Sequence, residues 1–132
     1  MKFNLDCARD ILFLLEEKLN ITPDLEIVSV DLEEITSALF TYEAGEIANT
    51  LIVLSEAGFI FSENIFGDEI VADILVARIT YNGYQFLESI RPEPVWQNVK
   101  AVGSKVGSFS VNAISQIATN VITSLINAQL CL

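Results

Sequence analysis

The sequence predicts a mainly α protein with one small β-hairpin. Apolar residues recur at three- and four-residue steps in three stretches, Leu5–Leu19, Leu32–Tyr42 and Ile47–Leu54, give way to β-branched runs between Phe59 and Ile79, and return to helical periods after Thr80. With 132 residues, 52% of them apolar, the chain has material for one core and should bury roughly two thirds of its unfolded surface.

Each element has its own signal. Leu5, Ala8, Leu12, Leu15 and Leu19 form one helical face, with Asp6, Asp10 and Glu17 on the other side, so Leu5–Leu19 reads as a helix ending near Asn20 ahead of Pro23. Leu25–Val30 is β-branched and long enough for one small strand. Asp31 and Glu34 have the spacing of a capping box, followed by Leu32, Ile35, Leu39 and Tyr42 on one face. After a break at Thr41–Gly45, a third helix is expected over Glu46–Ala57. Its inward residues are Ile47, Ala48, Leu51 and Leu54, and Gly58 stands where a left-handed residue is wanted. Phe59–Phe61 and Ile70–Ile79 read as two strands joined by a turn over Asn64–Glu69. Thr80 caps a fourth helix, Tyr81–Ile90. Pro92 and Pro94 break the chain before a short helix, Val95–Val102, and Gly103 and Gly107 bracket a turn into a last helix, Ser108–Leu130. Tyr81, Tyr84, Phe86 and Trp96 are expected to pack rather than to form a binding platform.

Three helices followed by a hairpin are the order of a winged helix-turn-helix, with the second and third helices as the compact pair and the hairpin as the wing. The expected division is a winged-helix-like core at 1–90 and a C-terminal helical extension at 91–132, packed on the core.

Several stretches are similar to one family. They are Leu5-Asp6-Cys7-Ala8-Arg9-Asp10-Ile11-Leu12, Ser55-Glu56-Ala57-Gly58-Phe59-Ile60, and Arg78-Ile79-Thr80-Tyr81-Asn82-Gly83-Tyr84-Gln85-Phe86-Leu87, followed by Ile90-Arg91, Trp96 and the Gly-bounded entry to the last helix. Their order over nearly the whole chain resembles the family catalogued as domain of unknown function 2513. The resemblance implies a small protein of the kind frequent in phages and prophages, with a winged-helix-like core and no assigned activity, so no catalytic residues carry over. Such proteins often carry Lys in the last helix, where this chain has none.

Charge is segregated. The net charge is −11, and Leu19–Ala77 holds twelve acids and no base: Asp24, Glu26, Asp31, Glu33, Glu34, Glu43, Glu46, Glu56, Glu63, Asp68, Glu69 and Asp73. In a winged helix this is the part that would approach DNA. The expected outer face of the third helix is Glu46, Asn49, Thr50, Val53 and Glu56, and the wing tip offers Glu63, Asn64, Ile65, Phe66, Asp68 and Glu69. None is basic, whereas phosphates and guanine edges call for Arg or Lys, so nucleic acid is not expected on the third helix. An acid-only face serves either solubility or docking to a basic protein. The docking reading puts Glu43, Glu46, Asn49, Glu56, Glu63, Ile65, Phe66, Asp68 and Glu69 against a basic host protein, as a host-defence inhibitor or DNA mimic would. The alternative is a DNA-binding transcriptional regulator using Lys2, Arg9, Lys100 and Lys105.

Catalysis is not expected. The chain has no histidine, which removes the Ser-His-Asp triad, the Cys-His pair and His-ligated zinc. The carboxylate pairs Glu16-Glu17 and Glu33-Glu34 diverge by about 100° on a helix, and Asp68-Glu69 lacks the alternate acids of a calcium loop. Gly103-Ser104-Lys105-Val106-Gly107 lacks Walker spacing. No cofactor or metal is therefore expected. Cys7 and Cys131 form no CxxC pair and read as isolated thiols, with a disulfide between them as the alternative.

The acidic start is unlike a signal peptide, and the reducing cytoplasm is the expected compartment. Val106–Leu132 carries no charge, but the five amides and four hydroxyls of Val111–Leu132 are too polar for a lipid-facing span. The last helix pairs an apolar stripe with an uncharged polar face. Such a face suits a homodimer through Ser108–Leu130, or else is simply solvated.

Overall fold

The computed structural model describes residues 1–106, together with Gln116 and Asn120. Helix α1 runs Leu5–Lys18. Asn4, in extended backbone, starts it by accepting the Cys7 N–H at 3.1 Å. Leu5, Cys7, Ala8, Ile11, Leu12 and Leu15 are buried along one stripe. The expected terminal cap at Asn20 is not used. Leu19 is already extended, its N–H bonds to the Leu15 carbonyl, and Asn20 begins strand β1 (Asn20–Ile21). A helix that runs straight into a strand has no need of a left-handed residue.

The single strand expected over Leu25–Val30 is divided. Ile27–Val28 (β2) turns back on β1, pairing Ile21 with Ile27 and Asn20 with Val28. Val30–Asp31 (β3) joins a different sheet. Asp31 then caps α2 (Leu32–Ala38), accepting the Glu34 N–H at 2.8 Å, and Ile35 is the buried residue of this short helix.

Helix α3 spans Ala44–Glu56, starting two residues earlier than the expected Glu46. Ile47, Ala48, Leu51 and Leu54 are buried as the periodicity requires. Thr50 was expected on the outer face but is fully buried. Its hydroxyl donates to the Glu46 carbonyl at 2.7 Å, which satisfies the polar group inside the helix and lets a small side chain lie in the packed face. Gly58 ends the turn at φ +80°, with its N–H on the Ser55 carbonyl and the Phe59 N–H on the Leu54 carbonyl.

Strands β4 (Ile60–Phe66) and β5 (Val71–Ile79) form an antiparallel hairpin, and β3 pairs with β5, giving the order β3-β5-β4. The connecting turn is tighter than the expected Asn64–Glu69. Gly67 N–H bonds to the Ile70 carbonyl at 2.9 Å, and Asn64, Ile65 and Phe66 extend the strand instead. The hairpin buries one face, with Ile60, Ile74, Val76 and Ile79 buried along it. Helix α4 (Tyr81–Ile90) opens on Thr80, whose hydroxyl donates to the Gly58 carbonyl at 2.5 Å and accepts the Gly83 N–H at 3.1 Å.

The chain divides into two compact units, Met1–Tyr84 and Gln85–Leu132, so the division falls inside α4. In the second unit, helix α5 covers Glu93–Val106. It begins before the expected Val95, because Pro94 fits a first turn where no N–H is needed, and it runs through Gly103, which was expected to turn the chain. Phe86 and Trp96 are buried as expected, but Tyr81 and Tyr84 are 74% and 45% exposed. On α4 they share the side opposite Phe86, Leu87 and Ile90, so they do not pack. The Ser108–Leu130 helix and the dimer assigned to it lie outside the described residues, apart from Gln116 and Asn120, which are helical and exposed. Cys131 also lies outside them, while Cys7 is a free, buried thiol.

Candidate functional site

The acids of the candidate face sit on two elements, and each is placed there by local chemistry. Glu43 is the N-cap of α3 and is exposed; its side chain makes no capping bond. Glu46 lies in the first turn, where a carboxylate suits the positive end of the helix dipole. It is half-buried, as is Asn49, while Glu56 is exposed as the last residue of the helix. By helical geometry Glu46 and Glu56 are about 15 Å apart along the axis and about 80° apart around it. The α3 acids therefore frame a surface rather than converge on a point.

Part of that surface is tied to the core beneath it. Cys7, on α1, is buried against α3, and burial pushes its thiol up to about 11. The neighbouring Thr50 hydroxyl pulls the other way, and the carboxylates of Glu46 and Asp10 add to the rise. Beside them, the Tyr42 hydroxyl donates to Asp10 Oδ2 at 2.6 Å. Burial, together with that bond to a carboxylate, holds the phenol protonated well above its ordinary range.

The hairpin tip is the second element. Glu63 stands opposite Leu75, Ile65 opposite Asp73 and Phe66 opposite Val71. The register skips Ala77 after the Phe61 pair and Ala72 after the Ile65 pair, so the extra residues are bulges on β5, the central strand, which bend it locally. Ile65 and Phe66 are 39% and 61% exposed, and Asp68 and Glu69 are exposed in the turn, Glu69 at φ +60°. Ile70, also exposed, was not among the residues singled out from the sequence. The tip thus gathers Glu63, Ile65 and Phe66 at the end of β4 with Asp68 and Glu69 in the turn that follows.

One feature escaped the sequence. A surface depression of about 340 Å³ is lined by Asp31, Leu32, Glu33, Thr36, Ala44, Ala72 and Asp73. It joins the start of α2, the start of α3 and strand β5. Asp31 and Asp73 come together because β3 pairs with β5, placing Asp31 against Leu75 in the register. Only the acidity of this stretch was legible in advance. Two of these carboxylates already have backbone partners, Asp31 at the α2 cap and Asp73 on its neighbour's N–H. Among the described residues, no three of His, Cys, Asp and Glu are grouped to hold a metal ion.

The basic residues of the alternative reading belong to different units. Lys2 is exposed at the N-terminus and Arg9 lies over the Phe13 ring at 4.9 Å, both in the first unit. Lys100 lies over Trp96 at 5.6 Å in the second. Also among the described residues, no helix is long and apolar enough to cross a membrane.

No curated protein and no solved structure matches the chain. A family model does, the one described as "Hypothetical protein (DUF2513)", over residues 2–110. That span covers most of the chain, from the first helix through α5, and on it this protein belongs to the DUF2513 family.

Proposed function

We propose that Met1–Tyr84 is a winged helix-turn-helix, and that the protein is a non-enzymatic, phage-type binding protein whose acidic face engages a basic groove on another protein. The topology supports the fold reading. The strand before α2 pairs with β5, so the sheet order β3-β5-β4 places α2 and α3 between the first strand and the hairpin, as in a winged helix. The observation that carries the function is the charge on those elements. Every ionised side chain from Leu19 to Ala77 is an acid, and the two parts with which a winged helix meets a duplex, α3 and the hairpin tip, are included. Counterion release from phosphates cannot drive binding there.

Such a face imitates a phosphate track, and a host-defence protein that normally holds nucleic acid is the kind of partner it fits. The acids steer the encounter and Ile65 and Phe66 supply the apolar hold. The cytoplasm is the compartment in which this partner would be met.

The test is kinetic, on a partner recovered by pull-down from host lysate. Reversing Glu46 and Glu56 to Lys should slow association and flatten its salt dependence, because exposed charges are screened beyond about 8 Å at physiological ionic strength. Truncating Phe66 to Ala should leave association alone and speed dissociation by roughly ten- to a hundredfold, the equivalent of losing about 1.5–3 kcal/mol of aromatic burial. A partner indifferent to salt and to the charge reversals would reduce the acidic face to a solubilising surface. Submicromolar, sequence-selective binding of duplex DNA abolished by Asn49→Ala would overturn the reading in favour of a regulator.

A further inference from the structure

We propose that the β1–β2 hairpin is a separate docking element, with Leu25 as the anchor for a partner protein that offers an apolar notch bordered by Lys or Arg. The hairpin is built firmly for so small an element. Pro23 restricts its own φ, and the Leu25 N–H closes a four-residue turn onto the Thr22 carbonyl at 2.8 Å. Thr22 N–H donates to the Glu26 carbonyl at 2.9 Å, and Glu26 N–H returns to the Thr22 hydroxyl at 3.0 Å.

Leu25 itself stands at φ +67°, the position in such a turn that glycine or asparagine fills without strain. A leucine there is held against its conformational preference, and its side chain is 81% exposed, so it does little for the protein's own core. Ile21 and Ile27 face each other across the strands on one side and are 60% and 63% exposed. Three large apolar side chains on one rigid hairpin, uncovered by the rest of the described chain, are an unusual use of surface.

Charge selects the occupant. Asp24 and Glu26 flank Leu25 directly, and no base occurs from Leu19 to Ala77. An anionic lipid surface is repelled by this rim, and so is a second copy of the same acidic hairpin. A protein with basic residues around an apolar notch satisfies both parts. This surface is distinct from α3 and the hairpin tip, so the proposal stands or falls apart from the function proposed above.

The probe is a synthetic amphipathic helical peptide with Leu on one face and Lys on the other, titrated into the full-length, methyl-labelled protein and followed by NMR. Saturable shifts are expected at Ile21, Leu25 and Ile27, and these should persist in the Glu46→Lys, Glu56→Lys variant. A matched peptide with Glu in place of Lys should give none. Leu25→Asn should weaken peptide binding by roughly tenfold or more, the loss of one buried leucine. It should also leave the melting temperature unchanged or raised, because asparagine tolerates the left-handed backbone. A merely structural leucine would instead lower the melting temperature on substitution. The proposal is overturned by any of five results: no saturable shift at these methyls, equal response to the acidic peptide, binding to phosphatidylserine-containing vesicles, self-association through the hairpin, or destabilisation by both Leu25→Asn and Leu25→Gly.

Discussion

Gly45 and Gly83 both lie in the first turn of a helix, α3 and α4, and helix propensity alone treats them alike. Alanine at either should gain about 0.5–1 kcal/mol by reducing the freedom of the unfolded chain. The structure separates them. A Cβ on Gly45 would meet only the Met1 Cε, at 3.9 Å. A Cβ on Gly83 would lie 2.0 Å from the Phe59 carbonyl oxygen, 2.7 Å from Ile79 Cγ2 and 2.9 Å from the Phe59 carbonyl carbon. Carbon and oxygen ordinarily keep about 3.3 Å or more apart, so α4 would have to lift by over an ångström.

The Phe59 backbone cannot yield cheaply. Its carbonyl accepts the Thr80 N–H at 3.0 Å and its N–H holds the Leu54 carbonyl at 2.9 Å. Lifting α4 would strain three hydrogen bonds through Thr80, each worth about 0.5–1.5 kcal/mol, besides the 1–3 kcal/mol typical of overpacking. Set against the propensity gain, Gly83→Ala should destabilise the protein by about 3 kcal/mol, while Gly45→Ala should stabilise it by about 0.5 kcal/mol. Urea unfolding at an unchanged slope of about 2 kcal/mol/M reads this as a midpoint lowered by about 1.5 M for Gly83→Ala and raised slightly for Gly45→Ala. If both variants move the same way, or Gly83→Ala is as stable as the wild type, the close approach of α4 to Phe59 is refuted.

Other outcomes are expected. Asp31→Ala removes the oxygen that holds Glu34 N–H and should cost about 1 kcal/mol in urea unfolding, with Asp31→Asn or Asp31→Ser restoring most of it. Ile35→Ala empties the buried anchor of α2 and should cost about 2–5 kcal/mol, without loss of cooperativity if the cavity alone is responsible. In a Cys131→Ser background, Cys7 should resist alkylation at pH 8 until denaturant is added, since its buried thiol is pushed up to about 11 from an ordinary 9.0. The same shift sets the alkaline limit. Cys7 and Tyr42 both titrate higher folded than unfolded, so their stabilisation is complete below about pH 9 and is lost as pH rises through 11 and beyond. Tyr42→Phe should make the fall in melting temperature above pH 10 shallower, and an unchanged profile would show that the phenol bonded to Asp10 is not responsible.

Much of the fold is legible in the sequence because its signals act over a few residues. The apolar steps of Leu5–Leu15 and Ile47–Leu54 mark their buried faces, Asp31 and Thr80 mark helix starts, and Gly58 marks a left-handed turn, all as found, while Leu19 falls just beyond its helix. The acidity of the candidate face is equally local, since charge is counted residue by residue, and the hairpin tip could be named because its members are consecutive. Tertiary structure decided what depends on partners distant in the chain. Pairing of Asn20–Ile21 with Ile27–Val28, and of Val30 with Val76, divided a stretch that reads locally as one strand. Packing of α1 on α3 buried Thr50, which a helical wheel puts outside, and seated it beside Cys7. The β3–β5 ladder drew Asp31 and Asp73 into one depression, and the approach of α4 to Phe59 leaves no room for a Cβ at Gly83, where Gly45 has it. Propensity, capping and charge are properties of neighbours along the chain, whereas burial and close approach depend on which surfaces the fold brings into contact.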